Sequence, residues 1–434
     1  MSSVSPSAVE QITDVQWTVI LSSDKISVPL NITNTVSDID IYEHIEKPYL
    51  TGVIGFMDST DLLGSVDFGG GEKLEITFAS SQTDGANIKK IFYIDKIISS
   101  DKVNGTNEYI ICHILEDIAF ESNLLNVNKA YKGTGTKICA NISAILGREF
   151  QSSSKDAHEM RVIIPNLTPL NALNWIKNKT TTQDGYPYYL FSPLQQNALI
   201  FHDLESMMTA VPMNPKAPYT YSESDNAVDG NQVTKRRKML SYKYSKTEDL
   251  FSIIDAGHIG SKHQYFNVTK NTEVDVKFDV VKDVIAKMKA SGIVTGKPLY
   301  TEDYKLDGKP YNIIESRITS QIGGTSAYED YQTFSERVSE GKYRLDVAGR
   351  AMVSLVKKSP LTFVVNGVDF FSSDRYNTVG RKLRLRFLSN SENEENPFDS
   401  KKSGDYLLFS AKHSFKPELY SITFTGVKLD NSDV

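Results

Sequence analysis

Two eight-residue stretches far apart in the chain share one frame. Gly71-Glu72-Lys73-Leu74-Glu75-Ile76-Thr77-Phe78 returns as Gly380-Arg381-Lys382-Leu383-Arg384-Leu385-Arg386-Phe387. In each, every second residue is apolar: Leu74, Ile76 and Phe78 in the first, Leu383, Leu385 and Phe387 in the second. That alternation marks a half-buried strand. The flanks repeat as well. Phe92 to Lys96 and Glu108 to Ile111 follow the first stretch, as Tyr406 to Ser410 and Leu419 to Ile422 follow the second. Each set reads strand, strand, turn, strand in the same order. The chain is therefore expected to hold two similar antiparallel β-barrels with an α/β segment between them.

At 434 residues the length suggests about three units of roughly 150 residues. The 22 tyrosines and 20 phenylalanines favour sheets over helical bundles. A net charge of −6 argues against a dedicated nucleic-acid binder, whose footprint is basic. Cys112 and Cys139 are too few for a disulfide framework and are expected to be reduced. The start, Met1-Ser2-Ser3-Val4-Ser5-Pro6-Ser7, lacks a cationic segment followed by an apolar run, so no signal peptide is expected. No apolar run is long enough to span a bilayer as a helix.

Along the chain, residues 1–13 read as a Ser-rich tail and 14–120 as the first barrel. That barrel opens with a hairpin whose second arm holds Pro29, which places it at an edge or at a bulge. Asp58 to Leu63 reads as a capped helical turn. An α/β segment fills 121–215. It carries a helix from Lys137 with Ile138, Ile142 and Ile145 inward, and a second opened by Thr168-Pro169. A hairpin of Tyr188–Phe191 and Ala198–His202 follows. Segments 216–247 and 340–430 form the second barrel, including a helix near Val338–Lys357 and an Asn366-Gly367 hairpin turn. Residues 248–339 read as an inserted, loop-rich part, with Thr247 capping a short helix that Gly257 ends.

No catalytic centre stands out. Neither Gly133-Thr134-Gly135-Thr136-Lys137 nor Gly292 to Lys297 has the spacing of a phosphate loop. Asp225 to Asp229 hints at a calcium loop, but Ala227 and Arg236 occupy ligand positions. His258 and His263 lack a third ligand nearby and read as polar loop histidines. Lys235-Arg236-Arg237-Lys238 reads as a solvated or interface-facing strand start. No catalytic, cofactor-binding or metal-ligating residue is assigned. The candidate functional residues lie instead on the outer faces of the repeated strands: Lys73, Glu75 and Thr77 on one, Lys382, Arg384 and Arg386 on the other. A basic face meeting an acidic one would set register between barrels.

The ordered set Ile41-Tyr42-Glu43, Pro48 to Gly52, Asp61-Leu62-Leu63, Gly71 to Leu74, Pro169 to Trp175, Tyr189-Leu190-Phe191, Phe201, Asp249-Leu250, Gly257 and Gly404 to Leu407 resembles the baseplate hub protein of T-even-type contractile-tailed bacteriophages. The resemblance runs from about Trp17 to Asp430. It implies a mainly β chain with α+β insertions: two tandem tube-type antiparallel β-barrels plus peripheral α/β domains. It also implies a homotrimer whose six barrels adapt the six-fold tail tube to the three-fold central spike. The implied partners are the chain itself, the tail tube protein, the central spike protein, baseplate wedge proteins and a tape-measure protein. No cofactor, nucleic acid or membrane is implied, and the implied location is the phage tail baseplate, assembled in the host cytoplasm. A hub of a phage-like injection or type VI secretion system is the nearest alternative. A tail-associated cell-wall hydrolase is a different class, for which no stretch has the look.

Overall fold

The structure is a computed structural model. It describes residues 15–431 except 60–61, 63, 65–67, 69, 81–86, 106, 154–155, 157–158, 222–236, 246–249, 268–270, 299, 301, 324–339, 373–375, 389–397, 400 and 418. The expected helical turn at 58–63, the Asp225–Arg236 loop, Thr247 and much of the basic run fall largely outside these residues.

The first β-unit comprises β1 (Val15–Ser22), β2 (Leu30–Asn31), β3 (Val36–His44), β4 (Thr51–Asp58), β5 (Lys73–Ser80), β6 (Asn87–Asn104) and β7 (Asn107–Glu116). Its strands pair in the order β3-β4-β7-β6-β5-β1-β2. β2 lies at the end of that order, directly after Pro29. A short turn, Thr33–Thr35, bridges the two ends of the sheet. Val19 N donates to Thr33 Oγ1 (2.9 Å) and Ile32 N to Val19 O (3.0 Å), which draws β1 towards the start of β3. Val19, Leu21, Ile39, Ile41, Ile54, Leu74, Ile76, Phe78 and Phe92 are buried inside.

The middle segment carries β8 (Ala130–Thr134), β9 (Glu149–Ser152), β10 (Glu159–Ile163), β11 (Tyr188–Phe191) and β12 (Ala198–Asp203). Its helices Gly135–Ile145 and Pro169–Lys177 surround a separate core of Ile138, Cys139, Ile142, Leu170, Leu173 and Ile176. Two details differ from expectation. Ile145, the last residue of the helix, is exposed, and Cys139 is buried beside Ile138 and Ile142. Thr168 sits at the N-cap position with no side-chain cap bond.

The second β-unit has β13 (Tyr219–Tyr221), β14 (Ser241–Tyr244), β21 (Pro360–Asn366), β22 (Lys382–Phe387), β23 (Gly404–Lys416) and β24 (Leu419–Val427). Their order is β14-β21-β24-β23-β22-β13, matching β3-β4-β7-β6-β5-β1 position for position. The register matches too. Lys73 faces Tyr93 as Lys382 faces Leu407, and Thr51 faces Leu115 as Pro360 faces Val427. A bulge falls between Ile94 and Lys96 and recurs between Leu408 and Ser410. Gly71 N donates to Ile94 O (2.7 Å), and Gly380 N donates to Leu408 O (2.9 Å). One strand departs: β1 runs antiparallel to β5, whereas β13 runs parallel to β22. After Asn366-Gly367 the chain forms a turn, Val368–Phe370, in place of the expected strand.

Both frame glycines have positive φ, +92° at Gly71 and +76° at Gly380, where a side chain is strained. Their surroundings differ. A Cβ at Gly380 would lie 2.6 Å from the buried Phe191 ring, while one at Gly71 meets Phe120 at 3.6 Å. Gly71→Ala is expected to cost about 1 kcal/mol and Gly380→Ala about 2–4 kcal/mol. Denaturant unfolding of the two variants checks the ranking, and equal losses would contradict it.

Between β14 and β21 lies a further sheet, β16-β15-β20, of β15 (Gly260–Asn267), β16 (Thr272–Asp279) and β20 (Arg317–Gly323). Small pairs β17 (Lys297–Pro298) with β25 (Asp430–Asn431), and β18 (Lys305–Leu306) with β19 (Lys309–Pro310), complete the pairing. Part of the stretch read as loop is thus strand β20, parallel to β15. Its Arg317-Ile318-Thr319-Ser320-Gln321-Ile322 sequence shows little apolar alternation, and Ile318 is exposed. The helix Glu340–Val356 buries Ala348, Met352 and Leu355 as its periodicity predicts.

Candidate assembly interface

The two β-units meet through one seam. β23 is long, and its two halves have different neighbours on the same side. Gly404–Leu407 pairs with β22, and beyond the bulge Ser410–Phe415 pairs antiparallel with β3. A single 13-stranded sheet results. At the seam Lys412 Nζ lies 2.8 Å from Asp40 Oδ2, and Ser414 Oγ donates to Asp40 Oδ1 (2.6 Å). Phe415 stacks on Phe78 with ring centroids 4.1 Å apart.

Two buried carboxylates, one of them at this seam, fasten the middle segment to the first β-unit. Glu43, on β3, is in phase with the apolar Ile39 and Ile41 and is 1% exposed. It accepts hydrogen bonds from Leu194 N and from Thr378 Oγ1 (2.6 Å), and its Oε1 lies 3.5 Å from His413 Nε2. Burial alone raises the pKa of Glu43. The charge of His413 and hydrogen bonds from His413, Thr378 and Leu194 outweigh it and hold the carboxyl below its ordinary value. Glu116, at the end of β7, accepts from Leu50 N (2.8 Å), Lys90 Nζ (2.9 Å) and Ser192 Oγ (3.2 Å). Lys90 Nζ also donates to Gln196 O (2.8 Å). Both side chains of the Lys90–Glu116 pair are 2% exposed. The β11–β12 loop, residues 192–196, thus serves both carboxylates.

The six residues expected at an interface are placed as follows. Glu75 pairs with Lys89 (2.7 Å) on the first β-unit, where Lys73 and Thr77 share its face of β5. Arg384 makes a two-pronged contact with Asp405, Nε to Oδ1 at 2.7 Å and Nη2 to Oδ2 at 3.0 Å, and Nη1 donates to Pro215 O (3.1 Å). Lys382 Nζ donates to Met208 O (2.8 Å), and the Arg386 guanidinium lies over Phe398 at 5.0 Å. The segment 211–215 runs alongside β22, with Met213 N donating to Lys382 O. The basic face of β22 is therefore occupied within its own chain.

His258 and His263 do not come together as a site. His258 Nδ1 lies 2.8 Å from Ser354 Oγ, and His263 Nδ1 lies 2.8 Å from Thr319 Oγ1. The Ser354 hydroxyl donates to Arg350 O, a bond within the helix (3.2 Å). Burial, with the charges of Arg350 and Arg317, lowers the pKa of His258.

Glu43, Lys90 and Glu116 were not singled out by sequence. Their signal was phase: each falls at an inward position of an alternating strand, beside Ile41, Phe92 and Ile114 respectively.

No family profile matches the chain, and no curated protein matches it. Solved structures do. The tail protein of Neisseria meningitidis MC58 is 12% identical, with TM-score 0.51 over 95% of this chain and 97% of that one. The 43 kDa tail protein of prophage MuSo2 from Shewanella oneidensis is 10% identical, with TM-score 0.50 over 96% and 99%. A type VI secretion component of E. coli, described as similar to phage tail proteins gp27 and gp5, covers 94% and 77% at 10% identity and TM-score 0.44. The chain has the mainly β fold of the phage tail proteins among these neighbours.

Proposed function

We propose that this chain is a structural tail hub, a homotrimer whose six β-units form a ring between a six-fold tube and a three-fold spike. The observation that carries the proposal is the duplication. One chain presents two β-units with the same strand order, register and bulge position. Three such chains offer six similar surfaces on a ring and three distinct ones beside it, which is the requirement for joining six-fold and three-fold symmetry. The shared fold with phage tail proteins agrees with this role. The proposed partners are a tail tube protein, a central spike protein, baseplate wedge proteins and a tape-measure protein, and the proposed location is the virion tail. The domain limits at residues 120, 215, 247 and 339 belong to the same proposal.

The test is the native mass and the class-averaged images of the purified full chain. A particle of three times 48.5 kDa with six similar lobes is expected. A monomer at all concentrations, or a ring with three lobes, would overturn the reading.

A further inference from the structure

The seam between β3 and β23 has a counterpart that the chain leaves unmade. By the duplication, β14 corresponds to β3, and the outer half of β6 corresponds to the outer half of β23. Among the described residues β14 pairs with β21 alone, and β6 beyond Ile94 pairs with β7 alone. We propose that β14 of one chain adds antiparallel to the outer half of β6 of a second copy, repeating between chains the seam that β3 and β23 make within one. The inference rests on the trimeric hub reading and specifies how its chains join.

The register can be transferred residue by residue. Within the chain, Lys412 faces Tyr42, His413 faces Ile41, Ser414 faces Asp40 and Phe415 faces Ile39. The strand pairings that flank each unit map these onto Ser99 facing Ser245, Ser100 facing Tyr244, Asp101 facing Lys243 and Lys102 facing Tyr242, once the extra bulge of β6 at Ile98 is counted. Asp101 and Lys243 are both exposed, so the transferred register sets an acid opposite a base. Opposite charges at facing positions favour pairing, and like charges oppose it.

Exposure points the same way. Ile97, Ile98 and Val103 are 39%, 52% and 54% exposed along this edge. At the position equivalent to Ile97, Ala411 faces Glu43 of β3 and is 2% exposed. A long edge strand with unpaired backbone groups is a template for another strand. The contact is head-to-tail, and such contacts close into a ring when the rotation per step permits. Three chains would supply three seams within chains and three between them.

Cysteine trapping in the full chain tests the register. Cys112 and Cys139 are buried, and burial pushes the Cys112 thiol up to about 12, so both stay out of mild oxidation. The double variant D101C/K243C is expected to give covalent dimers and trimers on oxidation, with D101C or K243C alone giving none. In parallel, D101K and K243D should each weaken trimer formation by roughly tenfold, and D101K/K243D should restore it. Circular dichroism of each variant confirms that the chain is folded. A trimer of normal mass in which D101C/K243C does not cross-link, or which D101K leaves unchanged, overturns this seam and leaves the hub reading standing. A chain monomeric at every concentration overturns both.

Discussion

Lys90→Met is expected to destabilise the protein by about 3–5 kcal/mol, since it leaves Glu116 ionised in the interior without its cation. The magnitude follows from burial. Neither partner of the pair reaches water, and each is 2% exposed. Most of the cost is the stranded carboxylate, because Met keeps nearly all the apolar bulk of Lys. Glu116 would retain the Leu50 amide and the Ser192 hydroxyl, and Gln196 O would lose its donor. The double variant K90M/E116Q is therefore expected to recover much of the loss, because Gln still accepts from Leu50 N and carries no charge. Chemical denaturation of the four proteins gives the coupling. If K90M alone costs under 1 kcal/mol, the pair is not the fastening described here.

Glu43→Gln should change the acid limb of stability. The folded-state pKa of Glu43 lies below the ordinary 4.5. A depressed carboxylate contributes stability above its unfolded pKa and loses it as pH falls through the folded value. The wild-type protein should therefore weaken as pH drops below about 4.5, and E43Q should lose less over that window. At neutral pH, E43Q is expected to cost about 2–4 kcal/mol, because the amide keeps one neutral acceptor oxygen where the carboxylate offers Oε1 to Leu194 N and Oε2 to Thr378 Oγ1. Stability measured at pH 7 and pH 4 in both proteins decides this. Parallel acid limbs would remove Glu43 from the account.

The duplicated strands were legible because Leu74, Ile76 and Phe78 bury on one side and nothing competes with that pattern. Residues 38–44 mix Asp38, Asp40, Glu43 and His44 with Ile39 and Ile41, and were not read as a strand. That strand, β3, makes the seam, and its polar residues are the ones the seam employs. The carboxylate networks were invisible for another reason. Their members lie between 26 and 335 residues apart, so no local spacing announces them. The basic face of β22 stands out in the sequence, yet sequence alone does not show that Asp405, Met208 O and Pro215 O engage it.

The β11–β12 loop has a consequence for how the chain can be divided. Leu194 N, Ser192 Oγ and Gln196 O reach Glu43, Glu116 and Lys90, all three of which belong to strands made long before residue 192 leaves the ribosome. Until that loop docks, Lys90 and Glu116 have each other and Leu50 N but lack Gln196 O and Ser192 Oγ, while Glu43 waits for Leu194 N, Thr378 and His413, none of which has been made. A fragment ending near residue 120 would carry the same deficit permanently. The first β-unit is therefore an incomplete module, finished by a piece of its neighbour, and an excised unit would need Glu43 redesigned and the lost contacts of Lys90 and Glu116 to residues 192 and 196 replaced before it stood alone.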